Sequence, residues 1–182
     1  MKRKEINAFE YAPQILKALE KGVLLTTKAD GKVNTMTIAW GTIGIEYNEP
    51  IFICFVREGR YTRQLIDKSG EFTVNIPYGE YEKQILGICG NRHGDEHDKI
   101  AEAKLTLVDG EEVSVPAIKE LPLTLECKVE YRQQQDLNCM TDSKLREDMF
   151  PEDIPSSACM RNKDSHVAYY GKIVKAYIIE QD

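Results

Sequence analysis

Arg57 and Arg60 flank a glycine in the run Val56-Arg57-Glu58-Gly59-Arg60-Tyr61-Thr62, where an apolar segment gives way to a helical one. That order of residues suits an anion. A helix N-terminus offers unpaired backbone N–H groups with a partial positive charge, and arginine forks add charge-assisted hydrogen bonds to phosphate oxygens. Thr62 adds a hydroxyl. Spacing alone is equally compatible with a solvated surface cluster in which the arginines pair with Glu58 or Asp67. A second chemical segment is Asn34-Thr35-Met36-Thr37-Ile38-Ala39-Trp40-Gly41, extended in pattern yet polar at 34, 35 and 37. A flat ligand along such a strand can use its amides and the threonine hydroxyls, with Met36 and Trp40 as apolar surface. An edge strand with its polar residues in water fits the same pattern, and a lone tryptophan there ordinarily belongs to the core.

Other constellations are weaker. His93 and His97 stand four apart, but His-Gly-Asp-Glu-His has a glycine that discourages a helix and no evident third ligand, so both are expected at the surface rather than on a metal. The five cysteines, at 54, 89, 127, 139 and 159, form no Cys-x-x-Cys pair and are odd in number. Reduced, mostly buried thiols are expected, Cys89 among them. No glycine-rich dinucleotide fingerprint joins a strand to a helix, and no Ser-His-Asp spacing is present.

The elements that position these residues are mostly strands. Six extended runs stand out: VLLTTK from Val23, VNTMTIAW from Val33, IFICFV at 51–56, EFTVNIP from Glu71, LTLECKVEY from Leu123 and HVAYYGKIVKAYII from His166. Asp30-Gly31 marks a hairpin between the first two. In LTLECKVEY, Leu123, Leu125, Cys127, Val129 and Tyr131 form an apolar side, while Thr124, Glu126, Lys128 and Glu130 are expected to face water. Short helices are expected over Tyr11 to Gly22, with Ile15, Leu16 and Leu19 on one face, and from a Thr62 N-cap to a Gly70 stop. Two more are read over Tyr78 to Gly90 and Asp95 to Lys104. Residues from about Gln133 to Asp164 are polar and aperiodic, and read as a long loop. This is a mainly β pattern, a barrel or sandwich with short peripheral helices.

With 182 residues, 42% hydrophobic and 30% charged, the chain is expected to form one domain, 1–182. Its net charge of −6 argues against nucleic acid, which needs a basic face. No apolar run is long enough for a membrane span, and the basic start MKRKEINAFEYAPQ has no apolar core behind it, so the cytoplasm is expected.

Taken together, NTMTIAWG, GIEYNEPIFICFVREGRYTRQLIDKSGEFTVNIP, CGNRHGDEHDKI, LPLTLECKV and HVAYYGKIV resemble the flavin reductase-like family of the FMN-binding split barrel, flavoredoxins included. The resemblance implies a six-stranded Greek-key β-barrel, a homodimer, and FMN as cofactor in a cleft near the subunit boundary. It carries Thr35, Met36, Thr37, Ile38, Ala39 and Trp40 to the flavin, and Arg57, Arg60, Tyr61 and Thr62 to its phosphate. Lys99 and His166 match family positions beside the cofactor. Two departures stand out: His93-Gly94-Asp95 replaces a stretch that commonly holds serine, glycine and arginine, exchanging one positive charge for a negative one, and Gly171-Lys172-Ile173 replaces a usual Gly-Glu-Ile. The implied activity is an oxidoreductase, an NAD(P)H-dependent flavin reductase with no obligatory acid or base from the chain. Alternatives are an FMN electron carrier reduced by a protein partner, and a flavin storage or sensing module.

Overall fold

The computed structural model describes residues 1–180. Along the chain run β1 (Arg3–Glu5), α1 (Ala12–Leu19), β2 (Val23–Ala29), β3 (Lys32–Ile38), β4 (Gly41–Glu46) and β5 (Glu49–Arg57). They are followed by α2 (Tyr61–Ser69), β6 (Glu71–Ile76), α3 (Gln84–Asn91), α4 (Lys99–Glu102), β7 (Leu107–Val108) and β8 (Ala117–Ile118). The chain continues with β9 (Leu123–Gln134), a 3-10 turn (Leu137–Cys139), α5 (Ser143–Met149) and β10 (His166–Ile179). One antiparallel sheet has the order β3-β2-β6-β9-β10-β5-β4, with β1 on β10, and β7 pairs with β8 separately. All six strands read from the pattern are in the large sheet. The short β1 and β4 were not anticipated, because β4 holds two glycines and leaves Ile45 73% exposed, so it shows no alternation.

The sheet closes around one apolar cluster to which α1, β2, β3, β5, β6, β9 and β10 all contribute, and β3 contacts β5 across it. Strand β2 is buried on both faces: Val23 and Leu25 join that cluster, while Leu24 joins a second one under α3 and α4. This explains why Val23, Leu24 and Leu25 are apolar in succession rather than alternating. Asp30 and Gly31 both have positive φ, 51° and 75°, which is the turn geometry a two-residue hairpin needs. Strand β10 pairs with β5 through His166 to Lys172 and with β1 through Tyr177 to Ile179, bending at irregularities beside Gly171 and Ile173. A Cβ at Gly171 would lie 2.3 Å from the Phe72 ring, so the bend requires glycine.

Several local expectations are corrected. Leu16 is 45% exposed, and only Ile15 and Leu19 of the α1 trio are buried. Helices α3 and α4 are shorter than the stretches 78–90 and 95–104. Thr124 and Glu126 are buried rather than solvated, because the 109–118 segment covers that half of β9, while Tyr131, beyond the cover, is 43% exposed. Arg60, not Thr62, is the N-cap of α2, and Gly70 ends it in the left-handed conformation as expected. The stretch 133–164 is not all loop, since it holds the end of β9, the 3-10 turn and α5.

Candidate functional site

The end of β5, the start of α2, β3 and the last residues before β10 converge on a cavity of about 280 Å³. Strand β3 presents Met36 to it, and the strand's continuation presents Ala39 and the exposed Trp40. Eleven of the twelve sequence-derived site residues line this cavity: Met36, Thr37, Ile38, Ala39, Trp40, Arg57, Arg60, Tyr61, Thr62, Lys99 and His166. Thr35 does not. Strand alternation turns it inward, where its hydroxyl accepts from Thr26 Oγ1 at 3.0 Å and donates to the Leu25 carbonyl at 3.3 Å.

The polar side chains of β3 are tied into the protein rather than left in water. Asn34 Nδ2 donates to Thr62 Oγ1 at 2.7 Å, joining β3 to the first turn of α2. The Thr37 hydroxyl donates to the Leu86 carbonyl at 2.7 Å. Gly94 packs so closely on Asn34 that a Cβ would lie 2.1 Å from its Oδ1. The His93-Gly94-Asp95 stretch thus has a steric reason for its glycine.

Charge is concentrated at one sign. Arg57, Arg60, Arg92, Lys99 and Arg161 line the cavity, and among the described residues no aspartate or glutamate does. In a chain of net charge −6 this is a local inversion. Arg92 and Arg161 were not foreseen: Arg161 sits in an aperiodic polar stretch, where no sequence signal points inward. They surround the cavity with cations although Asp95 stands where the family's arginine was expected.

The cations differ in how they are held. Arg57 Nη1 donates to the carbonyls of Asn162 (3.1 Å) and Asp164 (2.7 Å), and Nη2 to that of Met149 (2.9 Å), with its guanidinium 5.0 Å over the Phe150 ring. It fastens the 149–164 segment to the sheet. Arg60 uses only Nη2 in this way, on the carbonyls of Cys159 and Met160, leaving Nε and Nη1 without an acceptor among the described residues. Burial lowers the pKa of both guanidiniums. Lys99 is 4% exposed, and its Nζ has one long contact, 3.5 Å to the Cys89 carbonyl. Burial therefore draws its pKa down to about 8. The N–H groups of Tyr61 and Thr62 donate to no described acceptor. Desolvated cations and free amides around a concavity are what a buried anion requires.

His166 is buried between Trp40 (ring centroids 5.1 Å apart) and Phe150 (5.4 Å). Burial, with Arg57 and Arg60 nearby, pushes its pKa down to about 4, so the ring is neutral near pH 7. It is a flat wall rather than a charge. Cys89 is buried, which raises its thiol to about 11. His93 is half-buried and tied by Nε2 to the Ser157 carbonyl at 2.7 Å, whereas His97 is exposed as expected. Among the described residues no group of histidine, cysteine or acidic side chains is arranged to hold a metal.

The flavin reductase like domain model matches residues 18–182. The chain belongs to that family. Among solved structures, this flavin reductase-like chain is similar to a flavoredoxin of Methanosarcina acetivorans, with 28% identity and a TM-score of 0.62 over 88% of this chain and 69% of that one. It shares the fold of nitrilotriacetate monooxygenase component B from Bacillus cereus, at 20% identity and a TM-score of 0.63 over 99% and 83%. An uncharacterised protein of Archaeoglobus fulgidus is 35% identical over 98 residues, 54% of each chain. The match thus spans about half the length of that curated relative. The architecture is the mainly β split barrel of these flavin reductase-like neighbours. No described helix is long and apolar enough to cross a membrane.

Proposed function

We propose that this flavin reductase-like chain binds FMN in the cation-lined cavity and acts as an NAD(P)H-dependent flavin reductase. The observation that carries the reading is a cavity lined by five basic side chains and, among the described residues, by no carboxylate; Arg92 is paired with Glu102, but the buried Lys99 has no described carboxylate within ion-pair distance. The FMN phosphate suits the donors at the start of α2: the Tyr61 and Thr62 amides, the Arg60 fork and the Lys99 ammonium. Met36, Ala39 and Trp40 with neutral His166 supply the flat apolar surface for a ring system. When bound, the flavin supplies hydride chemistry that none of this chain's side chains can perform. The residues themselves bind, orient and exclude water, and neutral His166 neither gives nor takes a proton near pH 7.

Without a dinucleotide-binding fingerprint, NAD(P)H would dock directly against the flavin. Likeness to a flavoredoxin at 28% identity favours a second reading, an FMN carrier reduced by a protein partner. The family resemblance also supports one domain, a homodimer and a cytoplasmic setting. An anaerobic absorption titration of the purified protein with NADH and NADPH separates the readings. Bleaching of the flavin bands by either nucleotide supports the reductase. Bleaching only by a reduced protein partner supports the carrier, and absence of bound flavin at saturating FMN overturns both. Arg60→Ala should weaken FMN binding more than tenfold, because a charge-assisted contact contributes about 1.5 to 3 kcal/mol. Flavin fluorescence quenching measures it, and unchanged affinity refutes the phosphate assignment.

A further inference from the structure

A second concavity, of about 740 Å³, shares Trp40, Phe55 and His166 with the cation-lined cavity. Its volume falls within the usual range for small-molecule sites, about 300 to 1,000 Å³. Its outer wall comes from Leu145 and Met149 of α5, and its floor includes Ala168 and Tyr170 of β10. That outer wall is fixed: Arg57 donates to the Met149 carbonyl at 2.9 Å, and Asp142 Oδ1 caps α5 by accepting from the Leu145 amide at 2.9 Å.

The electrostatics are the reverse of those next door. No lysine or arginine lines this pocket, and its one carboxylate, Asp136, already accepts from the Asn138 amide and side chain. An anion would find no counter-charge here, which excludes phosphate-bearing nucleotides. Large apolar groups remain open instead, with Trp40 46% and Leu145 45% exposed. Gln133 and Gln135 add uncharged amides that can donate to a carbonyl oxygen. Aromatic faces with neutral amides at one side match a flat, uncharged ring system carrying a carbonyl.

We infer that this pocket binds an uncharged, flat conjugated carbonyl compound of the quinone class, against the wall it shares with the cation-lined cavity. The site is separate from the cavity read as the flavin site and does not depend on that reading. Calorimetric titration with duroquinone, whose ring is fully substituted and resists thiol addition, tests it on protein with and without saturating FMN. One site is expected in both forms, with affinities within fivefold of each other. Leu145→Glu should weaken duroquinone at least tenfold and Leu145→Ala two- to fivefold, both leaving FMN affinity unchanged and thereby confirming an intact fold. Anthraquinone-2-sulfonate should bind the FMN-saturated protein at least tenfold more weakly than duroquinone. Loss of duroquinone binding when FMN is present would place the ligand in the first cavity and overturn the inference. So would indifference to both Leu145 variants, or no binding to a dimer that Leu145→Glu dissociates, which would make the pocket a contact between two copies. Duroquinone binding that depends on Leu145 in a protein that takes no FMN would leave this site standing and remove the flavin reading alone.

Discussion

Glu126 and Lys99 are both buried charges, 0% and 4% exposed, yet their surroundings are opposite. Glu126 accepts from the amides of Glu111 (2.8 Å), Glu112 (2.7 Å) and Val113 (3.2 Å) and from the Tyr177 hydroxyl (2.8 Å). Its carboxylate fastens the 109–118 segment over β9, and nothing is left for a ligand. Lys99 has a single 3.5 Å contact and a cavity in front of it. A buried charge fully satisfied by its own chain is architecture. One left short of partners marks where something else must bind.

Substitution should separate the two. The largest effect is expected for Glu126→Ala, which removes four hydrogen bonds to a charged group and leaves three amides without their acceptor. It should cost about 3 kcal/mol or more in urea unfolding, with FMN affinity of the folded protein unchanged. A matching loss of FMN affinity would break the contrast. Next comes Lys99→Met, expected to weaken FMN about tenfold, near 1.4 kcal/mol, while the FMN-free protein keeps or gains stability because a desolvated charge is gone. Lower stability without loss of affinity would make Lys99 an architectural residue like Glu126.

Titration sharpens the same point. Burial holds the pKa of the Lys99 amine at about 8 in the folded chain, against an ordinary 10.5, so the unfolded chain holds more protons between those values. The FMN-free protein should therefore gain stability as pH rises from about 8 to 10.5, whereas FMN affinity falls as the ammonium is lost. Lys99→Met should remove both slopes. The last test is His166, whose pKa is lowered from 6.5 to about 4. Stability should fall as pH drops through that window, by at most about 1.4 kcal/mol per pH unit. His166→Asn should flatten the fall, and an unchanged acid limb would show that the ring is solvated rather than walled in by Trp40 and Phe150.

Much of the fold was legible because strand alternation and turn residues are local. The six long strands, the Asp30-Gly31 hairpin and the Gly70 stop of α2 all follow from neighbours in the chain. Strand β4 escaped because a glycine-rich edge strand carries no period, and α5 escaped inside a polar stretch whose helix is set by the Asp142 cap and by Arg57 holding its last carbonyl. Within the cavity, the Arg57 to Thr62 and Met36 to Trp40 segments were legible as chemistry. Arg92 and Arg161 were not, since no pattern distinguishes an inward arginine in a loop from an outward one.

Residue type and spacing by themselves determined that a strand ends at Arg57 with Arg60 following at a helix start, and that a nearby strand is polar where cores are apolar. These are properties of short windows, set by periodicity and backbone preference. Only the tertiary structure decided which charges are satisfied. It committed Arg57 to the 149–164 carbonyls and freed two of the three guanidinium nitrogens of Arg60. It turned Thr35 inward, surrounded Glu126 with amides, and left the buried Lys99 with a single long contact, to the Cys89 carbonyl. Satisfaction of a buried charge depends on groups brought from distant parts of the chain, and that distance is crossed only when the sheet closes.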